Sequence, residues 1–132
     1  MQIKTNFIIT CDQAFLTAAS NNLNLIGIFS QINAQNFPAK HPRFALVANF
    51  DIDQLGDHTI ETKILDPAGK QIAQAELPVK INTSPFQIIT NFENLTFPAH
   101  GTYKIVLSLN GENIGSRVIN LRTIVRHKAN LA

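Results

Sequence analysis

A chain of 132 residues with eleven basic, nine acidic and four histidine side chains carries a formal charge of only +2, too small a bias to mark a nucleic-acid or membrane-surface protein by composition. An apolar fraction of 45% supports one buried core and excludes wholesale disorder, and a single cysteine, Cys11, excludes an internal disulfide framework. No run approaches the ~18 apolar residues of a membrane helix, and the opening residues lack the basic and apolar regions of an export signal. The sequence therefore predicts a cytoplasmic protein.

Alternation of period two dominates the chain, and it places successive side chains on opposite faces of antiparallel strands. Ile3, Thr5, Phe7 and Ile9 alternate with Lys4, Asn6 and Thr10; Leu23, Leu25, Gly27 and Phe29 alternate with Asn24. These predict the first two strands, and the residues 13–22 between them either prolong a strand or form a short helical turn. Phe37-Pro38-Ala39-Lys40-His41-Pro42-Arg43 then breaks the alternation with an aromatic, two prolines and three potentially cationic side chains. Proline stiffness suits a recognition loop, and it equally suits a plug in which Phe37 closes one end of a sandwich.

From Arg43 to Asp53 the pattern is clearest, with Phe44, Leu46, Ala48, Phe50 and Ile52 on one side and Arg43, Asn49, Asp51 and Asp53 on the other. It predicts a long strand with one dry face. Ile60, Thr62 and Ile64 alternate with Glu61, Lys63 and Leu65 before the turn Asp66-Pro67-Ala68-Gly69. The return strand over residues 71–79 turns Ala73, Ala75, Leu77 and Val79 inward, and Pro78 with Lys80 marks it as a protected edge. A strand over residues 86–96 is interrupted near Glu93-Asn94. Tyr103, Ile105, Leu107 and Leu109 then alternate with Lys104 and Ser108 up to Asn110-Gly111, a positive-φ turn pair, and the chain returns through Ile114 to about Val125.

Strands at this spacing without helices predict an all-β fold, an immunoglobulin-like antiparallel β-sandwich of about 7–9 strands. The whole chain, residues 1–132, reads as a single sandwich domain with a loose basic tail over residues 126–132. Tyr103 near the start of the penultimate strand fits the tyrosine that such sandwiches tuck into their core, its hydroxyl bonded to nearby backbone.

Several short motifs recur in one order: Cys11-Asp12, Leu25-Ile26-Gly27-Ile28-Phe29, Phe37-Pro38 with His41-Pro42, Gly56-Asp57-His58, Asp66-Pro67-Ala68-Gly69 and Gly101-Thr102-Tyr103. In order and spacing, from about Phe7 to Leu121, the chain resembles an uncharacterised family of small bacterial all-β proteins, a domain of unknown function. The resemblance implies bacterial origin and fold, and no catalytic chemistry.

No catalytic motif is present. His41, His58, His100 and His127 lack the close pairing of zinc sites. Asp51-Ile52-Asp53-Gln54-Leu55-Gly56-Asp57 echoes a calcium loop, but Leu55 and Thr62 stand where an oxygen ligand and a bidentate glutamate belong. Cys11 follows an apolar strand and is expected to be buried and inert. There is no Gly-rich phosphate loop, GxSxG elbow or HExxH. Arg117, Arg122, Arg126 and Lys128 make too thin a basic footprint for nucleic acid or membrane.

The sequence thus predicts no catalytic, cofactor-binding or metal-binding residue. Its leading function is a non-enzymatic protein-interaction or structural module. The alternative is a small-molecule or carbohydrate-binding domain, against which the absence of tryptophan counts. The expected partner is another protein or a second copy. The apolar run of Val118, Ile119, Leu121, Ile124 and Val125 points to a homodimer through residues 114–125 if that strand lies at an edge or its second face is exposed.

Overall fold

The computed structural model describes residues 1–124, so Val125, His127 and the basic tail over residues 126–132 lie outside the described residues. The alternation resolves into nine strands: β1 (Ile3–Leu16), β2 (Leu23–Phe29), β3 (Gln31–Ala34), β4 (Ala39–Ile52), β5 (Gly56–Leu65), β6 (Gln71–Ile81), β7 (Phe86–Phe97), β8 (Gly101–Leu109) and β9 (Glu112–Thr123). They form a four-stranded sheet in the order β2-β1-β4-β7 and a five-stranded sheet in the order β3-β9-β8-β5-β6. The open residues 13–22 are resolved as strand as far as Leu16, followed by a turn in which Asn21 takes a left-handed φ of 56°.

Between the sheets lies one apolar core, built by Phe44, Leu46, Phe50, Ile60, Ile64, Tyr103, Ile105, Leu107 and their neighbours. The two best-patterned hairpins close as their turn chemistry requires. Asp66 accepts backbone N–H bonds from Ala68 and Lys70 at 2.9 and 2.8 Å, while Asn110 and Gly111 both take the positive φ of a two-residue hairpin turn. The Tyr103 hydroxyl donates to the Ala99 carbonyl at 2.7 Å and accepts from the Ala99 N–H at 3.1 Å, so the tyrosine ring is pinned in the core.

β2 ends the four-stranded sheet and β3 begins the five-stranded one, with Ser30 alone between them, so the chain changes sheets there. Arg117 on β9 secures this crossing: its guanidinium donates to the Phe29 carbonyl at 2.8 Å and to the Thr10 hydroxyl at 3.2 Å. Thr10, fully buried, donates in turn to the Phe29 carbonyl at 2.6 Å.

Three expectations about strand faces need correction. The first is that β4 has one dry face; Phe44 through Ala48 are all fully buried, and Ala45 and Val47 belong to a cluster separate from the main core. Because neighbouring side chains alternate across a strand, that cluster lies on the outer face of the sheet. The second is the simple alternation of β1; its pairing with β4 shifts between Thr5 and Phe7, so Ile3 and Ile8 reach the core while Phe7 packs outside. One extra residue inverts every later face assignment. The third is Leu77, expected inward, which is exposed on the edge strand β6.

Candidate functional site

The outer cluster determines the shape of the surface most suited to recognition. β1 pairs with β4 only as far as Cys11–Ala45, yet β1 and β2 remain paired to Leu16–Leu23. Beyond Cys11 the hairpin therefore leaves the sheet, and Ala14, Leu23 and Leu25 pack onto Cys11, Ala45 and Val47. Gly27 permits the bend. Its φ is 69°, and a β-carbon there would collide with the Asp12 carboxylate.

One side of the folded-over hairpin is thus spent covering the outer cluster. The registers Gln13–Ile26 and Phe15–Asn24 place Phe15 and Ile26 on its other side, as diagonal neighbours. Phe15, Leu16, Ile26 and Ile28 are 42%, 48%, 52% and 60% exposed. They sit on or beside β2, whose far side has no strand partner among the described residues. Residues 13–39 contain no Asp, Glu, Lys, Arg or His, so β2 and β3 themselves are uncharged, with the Asp12 carboxylate of β1 beside Gly27.

An edge strand leaves alternate backbone N–H and C=O groups unpaired, and proteins normally guard such edges with charge, proline, brevity or a bulge. The other edges are guarded. β6 exposes Glu76, Pro78 and Lys80; β7 exposes Glu93 and carries a left-handed Asn94 at φ 54°; β3 has four residues. β2 has seven residues and neither charge nor proline, and its one irregularity is the left-handed Gly27.

The residues singled out from sequence do not converge. His41 packs beside Phe29 and Phe44, and His100 meets Phe37 edge-on. His58 is buried at the start of β5, where its Nε2 bonds the Gln54 carbonyl at 2.7 Å and its Nδ1 faces the Asn110 amide nitrogen at 2.8 Å. The Asn110 oxygen already accepts from the Thr59 N–H, so its nitrogen donates to Nδ1 and His58 donates through Nε2. His127 lies outside the described residues. Asp53 accepts the Gln2 N–H at 2.8 Å, and among the described residues no three His, Cys, Asp or Glu side chains gather where they could hold a metal ion.

Cys11 is fully buried on the outer face, where its thiol donates to the Gln13 carbonyl at 3.3 Å. Burial raises its pKa, with a smaller rise from Asp12, against the lowering effect of the Gln13 bond. The residues 37–43 are largely strand: Ala39 to Arg43 pair with β7, and the half-buried Phe37 packs against the core as an end plug. Clefts of about 610, 400 and 390 Å³ are lined without Phe or Tyr.

The condition that the closing strand lie at an edge is met only in part, because β3 pairs with residues 120–123 of β9, while among the described residues 112–119 have a strand partner on the β8 side alone. Val118 and Ile124 remain exposed. Sequence reasoning missed the β2 margin, although its uncharged run and the out-of-phase Ala45, Val47 and Cys11 were both visible.

Nine strands in two sheets, antiparallel except for the parallel β3–β9 pair, with the pinned tyrosine, define an immunoglobulin-like β-sandwich. The chain belongs to DUF6941, a family of unknown function, which it matches over residues 6–122. Among solved structures it is similar to an immunoglobulin-like protein from Pseudomonas aeruginosa, with a TM-score of 0.52 and 13% identity over 92% of this chain and 98% of that one. It is also similar to the Pseudomonas fluorescens alkylpurine DNA glycosylase AlkC bound to DNA containing an abasic site analogue, with a TM-score of 0.51 and 14% identity. That match covers 92% of this chain but only 30% of the glycosylase. No curated protein gives a significant match.

Proposed function

We propose that this protein is a non-enzymatic, bacterial, cytoplasmic interaction module that binds another protein chain at the β2 margin. The observation that carries this reading is an edge strand free of charge and proline, with Ile26, Ile28, Phe15 and Leu16 exposed beside it. Open backbone groups supply affinity in strand addition, and flanking apolar side chains supply selectivity. The lone, buried thiol of Cys11 suits a reducing compartment, and the bacterial assignment rests on the family resemblance. DNA binding of the glycosylase kind has little support, because the whole chain carries a formal charge of only +2.

The test places a photocrosslinking amino acid at Ile28 in living cells. A discrete protein adduct that disappears on adding Ile26→Lys supports the module, provided the same crosslinker at Lys80 on the guarded edge gives none. Equal labelling at both positions, or none at Ile28, would overturn it.

A further inference from the structure

We infer that the occupant of the β2 margin is a second copy of this chain, paired antiparallel through β2 across a twofold axis so that two four-stranded sheets become one of eight strands. This rests on the interaction reading above and names its partner. A strand added to β2 must itself be largely free of charge, because a charge buried against this margin would have no counter-ion among residues 13–39. β2 meets that requirement. Every surface patch it offers is matched by the same patch on the mate, which is what a twofold interface demands.

The register follows from the exposed residues. With the axis at Ile26, that side chain stands opposite its own copy, Leu25 faces Gly27, and Leu23 faces Phe29. A β-branched pair at the centre is among the favourable cross-strand pairs, and Phe15 on the neighbouring strand flanks it on the same surface. The formal charge of only +2 leaves little long-range repulsion between copies. A twofold pairing uses the same edge on both copies, so β2 offers no further place once the dimer has formed.

Light scattering during size-exclusion chromatography tests this at about 100 μM, a concentration that populates even a weak micromolar dimer. The expected mass is twice the 14.6 kDa of the chain. Ile26→Lys should return it to a monomer with an unchanged far-ultraviolet spectrum, since Ile26 is exposed, whereas Val118→Lys on β9 should leave the dimer intact. Ile26→Cys should give a disulfide-linked dimer under mild oxidation, because directly opposed positions on paired strands lie within disulfide reach; Leu77→Cys should not. A monomeric wild type, a dimer that survives Ile26→Lys, or a dimer lost through Val118→Lys would each overturn the twofold pairing. The mass of the Ile28 adduct separates the two failures. A band at any mass other than that of two copies overturns self-pairing while the interaction module stands, and no band removes both.

Discussion

The two faces of β4 are equally buried from Phe44 to Ala48, yet they are buried by different means. Inward, Phe44, Leu46 and Phe50 meet the opposite sheet, with long-range partners from β5, β8 and β9. Outward, Ala45 and Val47 are covered by a local device, the end of the β1–β2 hairpin turned back over the sheet. The inner face is protected by the whole fold. The outer face is protected by the bent hairpin together with Phe7 and Ile89, and the hairpin leaves its own far side exposed.

The largest effect should fall on the inner face. Phe50→Ala removes a fully buried ring that meets Phe86 at 5.8 Å, and should cost about 3–5 kcal/mol in urea unfolding. A cost below about 1 kcal/mol would mean that the core assignment is wrong. Next is Gly27→Ala, which forces a left-handed residue and a β-carbon against Asp12, for a loss of about 1–3 kcal/mol. The double change with Asp12→Ala should recover only part of it, because the clash is relieved and the backbone strain is not. Full recovery would show that φ at Gly27 carries no constraint. Val47→Ala on the outer face should cost about 1.5 kcal/mol for two buried carbons. A loss as large as that of Phe50→Ala would make the outer cluster a second core of equal weight.

This contrast also separates what the residues announce from what they conceal. Strands β4, β5 and β8 were legible because their alternation is uninterrupted and one face is uniformly apolar. The phase of β1 was not, since the bulge between Thr5 and Phe7 inverts the faces without leaving a compositional mark. Ala45, Val47 and Cys11 did signal an apolar outer face, but small side chains out of phase read as tolerated exceptions. Which strands are edges depends on pairings between distant segments. The apolar run in β9 therefore left open whether that strand was an edge, and Gln31–Ala34, 89 residues earlier by its register with residues 120–123, pairs with only the end of it. The β2 margin was half legible: its lack of charge was in the sequence, and its open side was not.

The smallest effect is electrostatic and probes one group from each side of the comparison, Cys11 outside and Tyr103 inside. Burial raises both pKa values above their ordinary 9.0 and 10.0; at Tyr103 the Ala99 bond opposes that rise and Asp66 adds to it. A raised acid in the folded state holds its proton where the unfolded chain has released it. The folded state then binds more protons, and stability falls as pH rises. The contribution of each group is thus fully present below its ordinary value and is lost as pH climbs through the raised one. Urea midpoints should be flat up to about pH 8.5 and decline above it. Cys11→Ala should delay the onset of that decline towards 10.0. Tyr103→Phe should lower stability by about 1 kcal/mol at neutral pH by removing the hydroxyl that serves Ala99, and should flatten the upper part of the decline. If both variants kept the slope of the wild type, the alkaline loss would have to come from groups other than these two.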